Sequence, residues 1–562
     1  MRALNLPIAG IACLICLSAA CGPAPVNDAT RAQLGTEVRP KRIVAAINTS
    51  PAQIASRDAV AGSGTYPGGD ALEDLVNAGL SIVDNRSQLR PQLAEAVPSI
   101  ETGSWRVFPD GRMETTWQLR PGIRWHDGAT FSSEDLVFTA ILAQDKGLPF
   151  FGDRALDYLE AVEATDASIV TARWKSPYIG VDAMFSRGLA MPRPKHILEP
   201  VYAENKEAVV QHAYWGEAYV GTGPFKVRQW VRDSHMILDA NDAYVLGRPR
   251  LDEIEIRFIP DANALTAHLL AGEVELTLGR SLPVSQASQI SDRWAGEVGI
   301  GLKNYIKLDI QFQNPTPSAL RDVQFRRAIV HALDRQEMAE VLESGWAPVA
   351  HFMWPPGDAV YREIEPYIAK YDYDPRRAMQ LIEEQGFTRG SDGMFRDAAG
   401  RPLAIEAWTY LGHEQRILVV ADQLRRAGLD AQPFVMTDAQ RLDRVFNNTF
   451  PGLELARQPN DPLRIGTYRS NNFPIPSRPD IQPGYTSPGL DALIDRYVGT
   501  MVYAERLPVL GEIVRLMTSQ VNEIPLYYNV EPLMIGRRLV GVEPRRTEKV
   551  TEAWNAPEWD VR

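Results

Sequence analysis

The sequence predicts an α/β protein of more than one domain, and three observations carry that expectation. Short runs of β-branched and aromatic residues are mixed along the chain with amphipathic helical stretches of roughly 10–15 residues, as in mixed sheets covered by helices. At 562 residues the chain exceeds what one hydrophobic core supports, and its length points to about three domains. The composition, 45% hydrophobic and 23% charged, is that of an ordinary globular protein, and no internal repeat recurs at a fixed period.

The first 21 residues stand apart. Arg2, the apolar stretch Leu4 to Leu17 and the small residues Ser18-Ala19-Ala20 form the three regions of an export signal, expected over residues 1–20. All 3 cysteines lie here, and Cys21 follows Ala-Ala directly, which resembles the lipobox of bacterial lipoproteins, whose cysteine is lipidated and becomes the mature N-terminus. The usual leucine is displaced, with Ser18 third before the cysteine and Leu17 fourth. A plain secretory signal cut near Ala20 is the alternative. No cysteine follows Cys21, so no internal disulfide can form and the core must hold the fold. Residues 21–39 are polar and Pro-interrupted, the composition of a lipidated tether. No later run is long and apolar enough to cross a bilayer. The net charge of −12 argues against nucleic acid as a partner.

Beyond the tether, Lys41 to Ile47 reads as a buried strand that opens the globular part. Trp105 to Phe108, then Asp110-Gly111, then Thr115 to Leu119 reads as a hairpin, because Asp-Gly supplies the positive φ of a tight turn. Ser132 with Asp135 three residues on has the spacing of a capping box and opens a helix. A second hairpin pairs Phe225–Val227 with Met236–Leu238, and Ile254 to Phe258 alternates as a half-buried strand. From about residue 320 the pattern turns helical: Phe325, Ala328, Ile329, Ala332 and Leu333 fall on one face. Asp374-Pro375 opens a helix that Gly386 ends, and Glu414 to Ala427 repeats the pattern before Gly428.

Searches for catalytic and cofactor chemistry return little. Gly221-Thr222-Gly223-Pro224 lacks the lysine and spacing of a phosphate cradle, and none of the 8 histidines stands in a metal-ligand spacing. No GxSxG elbow occurs, and no cysteine is available as a nucleophile. Carboxylate pairs such as Glu383-Glu384 are numerous enough among 71 acidic residues to arise by chance. No catalytic residue, cofactor or metal is expected.

Five segments in order carry a family resemblance. The stretch Leu119 to Phe138, with Trp125-His126-Asp127-Gly128 at its centre, resembles the signature of the family 5 extracellular solute-binding proteins, the dipeptide and oligopeptide receptors of ABC importers. Gly221 to Phe225, Arg326 to Arg335, Tyr373 to Ala378 and Pro525 to Tyr528 are similar to further segments of that family, so the resemblance spans about 40–540. Trp125 and Phe131 read as core anchors of a turn, His126 as a satisfied turn residue, and Gly221 and Gly223 as backbone necessities.

The resemblance implies a two-lobed periplasmic-binding-protein fold of type II, cluster C-like, with two crossing strands and a subdomain inserted in the first lobe. The expected first lobe gathers 40–62, 201–282 and 521–562, the insert 63–200 and the second lobe 283–520. Ligand capture by hinge closure, delivery to an ABC permease complex with its cytoplasmic ATPase, and a monomer held at a membrane by lipid follow from it. Peptide-binding members carry, in a second-lobe loop, a tryptophan, an aspartate three residues on that holds the peptide ammonium, and an acidic-proline pair. The matching loop here is Leu455 to Pro462: Asp461-Pro462 survives, Gln458 stands at the aspartate position and Leu455 at the tryptophan position, with Arg457 alongside. A desolvated ammonium without a carboxylate costs several kcal/mol. Arg457, by contrast, offers a fork for carboxylate or phosphate. The expected ligand is therefore a blocked peptide, an opine-like conjugate or a decorated sugar. An ion pair of Arg457 with Glu454 or Asp461 is the structural alternative. Tyr66, Trp408 and Tyr410 are the further ligand-binding candidates, as flat faces with polar tips. The rival functions are an envelope hydrolase acting on glycan or peptide through a carboxylate pair, and a receptor fold used as sensor or chaperone. Gly22 after the cysteine lacks an inner-membrane retention aspartate, which hints at the outer membrane.

Overall fold

The computed structural model describes residues 40–54, 66–148, 154–470, 484–547 and 550–562. The expected signal, Cys21 and the tether lie outside the described residues. Two long antiparallel strands, Glu297–Ile310 and Glu523–Ile535, form the middle of a ten-stranded mixed sheet. On one flank follow Leu453–Pro459, Ala404–Tyr410 and Asp430–Met436. On the other follow Leu276–Thr277, Arg42–Ile47, Glu253–Phe258, His235–Ala240 and Phe225–Val231. The register of the long pair shifts between Gly301 and Asn304, where the sheet passes from one flank to the other. A separate antiparallel sheet of four strands is built within residues 105–174.

Each flank packs its own core. Ile306, Leu308 and Ile310 bury one face of the first crossing strand against Phe325, Ile329, Ile417 and Leu424. Its other face carries Tyr305, which joins Tyr528, Trp354 and Ile513. Ile43, Ala45 and Ile47 belong to a further cluster that continues through the four-stranded sheet at Trp117 and Trp174. This is the two-lobed architecture expected of a type II binding protein.

The local expectations take physical form at identifiable points. The helix Ser133–Gln144 starts with a reciprocal capping box, in which the Asp135 carboxylate accepts the Ser132 N–H at 2.9 Å. Asp374 caps the helix Pro375–Glu383 by accepting the Arg377 N–H at 2.9 Å. Trp125 and Phe131 are buried with ring centroids 5.4 Å apart. His126 lies between two backbone groups, its Nε2 3.0 Å from the Gly223 carbonyl and its Nδ1 accepting the Gly221 N–H at 3.3 Å. A Cβ on Gly221 would stand 2.0 Å from the Val76 carbonyl oxygen, so close backbone approach requires glycine there. The Arg326 to Arg335 segment is also structural. The buried Arg326 donates to the carbonyls of Leu320, Arg321, Gln520 and Val521, and Arg335 to those of Ala350, Pro525 and Tyr371. Arg326 thereby fastens its helix to the turn that leads into the second crossing strand, and Arg335 fastens the next helix to that strand at Pro525.

Candidate functional site

A cleft opens between the two sides of the crossing strands and encloses about 1190 Å³, open solvent included. One wall comes from the helix Gly69–Val76 and the segment 178–191, with Tyr66, Asp70, Asp74 and Arg187; Arg280 and Arg545 close its base. Asp461 and Leu463 form the opposing wall. The walls also touch directly: the Ser87 hydroxyl donates to Asp358 at 3.3 Å, Ile179 packs into the cluster around Trp354, and Met501 packs on the cluster around Trp117.

The charged groups of the first wall are held in place. Arg545, 1% exposed, donates to Asp70 at 2.7 Å and, through Nε, to Glu552 at 2.9 Å. Asp74 lies 3.2 Å from Arg187 Nε and accepts the Thr551 hydroxyl at 2.6 Å; burial nonetheless raises its pKa. Tyr66 donates its hydroxyl to the Gln53 carbonyl at 2.7 Å and lays its ring against Gly69. On the second wall Asn460, 1% exposed, donates to the Leu302 carbonyl at 2.9 Å, anchoring the loop to the crossing strand just before Asp461. Asp461 then caps the turn that follows, accepting the Leu463 N–H at 3.0 Å.

Of the residues singled out in the sequence, Tyr66 and Asp461 line this cleft. Arg457 and Gln458 lie half-buried on the strand that leads to Asp461, paired in register with Ile306 and Tyr305. Trp408 packs among Phe434, Phe446 and Phe450, and its indole N–H donates to Glu406 at 2.9 Å. Tyr410 lies under the Arg441 guanidinium at 4.3 Å and meets the His413 ring edge-on at 4.6 Å. Burial, then the charges of Arg416, Arg457 and Arg441, press the His413 pKa down to about 3.

Asp70, Asp74, Arg187, Arg280 and Arg545 were not legible as site residues. A signal existed for the acids, since Asp70, Glu73 and Asp74 interrupt the apolar run Ala71, Leu72, Leu75, Val76, and buried acids require cations. Their partners lie 113, 120 and 475 positions away, at Arg187, Arg193 and Arg545, with no local mark.

A further polar group lies behind the second wall. Lys307 Nζ sits 2.7 Å from Asp309 and 2.8 Å from Glu523, which also accepts the hydroxyls of Tyr305 and Tyr468 at 2.6 and 2.8 Å. Glu454, 2% exposed, stands directly opposite Asp309 in the ladder. Neither Glu454 Oε2 nor Asp309 Oδ2 has a hydrogen-bond partner among the described residues. Burial first, then Asp309, pushes the Glu454 pKa up to about 8, against the opposing pull of Lys307 and Arg441. Among the described residues no three His, Cys, Asp or Glu side chains are grouped to hold a metal, and no helix is long and apolar enough to cross a membrane.

The family model for bacterial extracellular solute-binding proteins, family 5, middle part, matches residues 88–463. The chain is 26% identical over 373 residues to the oligopeptide-binding protein AppA of Bacillus subtilis, a match covering 64% of each protein. It is 30% identical over 286 residues to a putative ABC transporter peptide-binding protein of Brucella ovis, covering 51% of each. The matched stretches thus span between half and two-thirds of these relatives' lengths. Among solved structures, NikA from Brucella suis in complex with Fe(III)-EDTA superposes with a TM-score of 0.74 at 18% identity, covering 93% of this chain and 100% of that one, which establishes likeness of fold.

Proposed function

The chain belongs to family 5 of the bacterial extracellular solute-binding proteins, and from that premise we propose that it is the extracytoplasmic receptor of an ABC importer. A small solute enters the cleft, the lobes close over it, and the closed form passes it to a membrane permease. The observation that carries this reading is the two-sided lining of the cleft, with Tyr66, Asp70 and Arg187 on one wall and Asp461 and Leu463 on the other. A solute held there contacts both lobes only when they are closed, and that differential contact is what drives hinge closure. No bond need break. The cleft acids Asp70 and Asp74 are engaged by Arg545, Arg187 and Thr551, an arrangement suited to binding and unlike an acid–base pair poised on substrate, so nothing here favours a hydrolase.

The reading extends to a peptide-like or related solute, in keeping with the names of the relatives. Gln458 supplies no carboxylate for an ammonium, and Arg457 adds positive charge beside it, so the group received at this end is neutral or anionic. Lipidation at Cys21 after removal of residues 1–20, a tether over 21–39, a monomeric receptor and the lobe boundaries given above belong to the same proposal.

Native mass spectrometry of the purified protein after exposure to a metabolite extract tests it. The expected result is one unaltered small molecule per chain, bound about tenfold or more weakly by Arg457→Ala. Chemical turnover of the molecule, or no binding from any extract, overturns the receptor. An Arg457→Ala affinity within about twofold of the original overturns the anionic end.

A further inference from the structure

We propose that Asp74 Oδ1 receives a protonated amine of the solute, so that the cleft selects amine-bearing solutes on the wall built by the helix Gly69–Val76. This deepens the receptor reading and rests on it.

This carboxylate is held in the wall with one oxygen occupied and the other bare. Asp74 is 4% exposed and lines the cleft. Its Oδ2 takes both protein donors, Arg187 Nε at 3.2 Å and the Thr551 hydroxyl at 2.6 Å. Thr551 is wholly buried and its hydroxyl oxygen accepts the Ala553 N–H at 3.2 Å, which keeps it in place. Oδ1 accepts no hydrogen bond from the described residues. Donors beside it on the wall are committed elsewhere. Tyr66 donates to the Gln53 carbonyl at 2.7 Å, Gln92 to the Tyr244 hydroxyl at 3.3 Å and Ser186 to the Ala183 carbonyl at 2.6 Å. Arg545 donates to Asp70 and Glu552, and Arg280 lies 3.6 Å from Glu531. When the lobes close, Oδ1 loses water, and a donor carried by the solute is what replaces it.

Charge decides between the two donors a solute can bring, a hydroxyl and an ammonium. Asp70 stands one helical turn before Asp74 and also lines the cleft, so two carboxylates share one helix face. Arg545 bonds to Asp70 through both Nη atoms, at 2.7 and 3.3 Å, and leaves Asp74 to Arg187. Arg187 interacts with Asp70 and Glu73 as well as with Asp74. Burial, then Asp70, raises the Asp74 pKa against the pull of Arg187, Thr551 and Arg545, so the existing partners do not offset the lost hydration. A cationic donor does so, and a neutral hydroxyl does not. The amine is thus received by a helix of the first wall and not by the strand that carries Gln458.

The test is isothermal titration calorimetry of the full chain with matched probes. These are the ω-amino acids from β-alanine to ε-aminocaproate, the ω-hydroxy acids of the same lengths, and the N-trimethyl derivatives, which keep the charge but donate no hydrogen bond. The expected result is an ω-amino acid that binds about tenfold or more tightly than its hydroxy and trimethyl counterparts. Asp74→Asn brings the amine and hydroxyl probes to within about twofold of each other, whereas Thr551→Val, which removes the hydroxyl bonded to Oδ2, keeps the preference. No binding of any ω-amino acid, equal affinity for the hydroxy or trimethyl counterpart, or a preference that survives Asp74→Asn overturns the amine site. Should Asp74→Asn fail to fold, the comparison of probes on the unaltered chain decides by itself. If the site is overturned while native mass spectrometry still detects a bound solute, the receptor reading survives alone. If the amine preference is found but no extract yields a bound solute, the amine site survives and the receptor reading falls.

Discussion

Glu454→Gln should make the protein more stable, and increasingly so as pH rises. Glu454 is 2% exposed, faces Asp309 across the ladder, and has a pKa raised from the ordinary 4.5 to about 8. Between those values the folded protein holds a proton that the unfolded chain has released. Stability then falls as pH rises, by about 1.4 kcal/mol per pH unit. At neutral pH the accumulated penalty is about 3 kcal/mol, and it levels off above about pH 8. Glutamine keeps the shape and an N–H donor toward Asp309 but has no proton to take up. Urea unfolding of both proteins, followed by tryptophan fluorescence, reads the difference directly. It should be constant below about pH 4.5, grow by about 1.4 kcal/mol per unit above it, and reach a plateau near pH 8. A difference that stays flat across this range, or a variant whose relative stability falls as pH rises, would refute the assignment of a neutral buried acid.

Two further outcomes follow from the same physics. His126, His351 and His413, with pKa values lowered to about 4, about 4 and about 3 chiefly by burial, remain neutral while unfolded histidine protonates near 6.5. Stability should therefore fall as pH drops below about 6.5, by about 1.4 kcal/mol per unit for each group, and potentiometric measurement of proton uptake on unfolding checks the count. Arg326→Met removes the donors to four carbonyls, those of Gln520 and Val521 in the turn before the second crossing strand and those of Leu320 and Arg321 just ahead of its own helix. It should destabilise the fold by about 3 kcal/mol in chemical denaturation, and an unchanged midpoint would contradict the clamp.

The sequence by itself determined the local elements and the fold. The capping box at Ser132, the Asp374-Pro375 helix start, the turn glycines and the order of the five family segments depend on neighbours a few residues apart, where periodicity and turn chemistry are legible. The same nearness made His126, Trp125 and Phe131 readable as structural residues. Only the tertiary structure decided which charges meet. Asp70 finds Arg545 from 475 positions away, Asp74 finds Arg187 from 113, and Glu454 comes to face Asp309 because two distant strands pair in one register. It also separated aromatics that look alike in sequence: Tyr66 lines the cleft, whereas Trp408 packs among phenylalanines. The electrostatic energy of a buried group depends on which opposite charge or dipole lies within a few ångströms, and no local pattern encodes that distance.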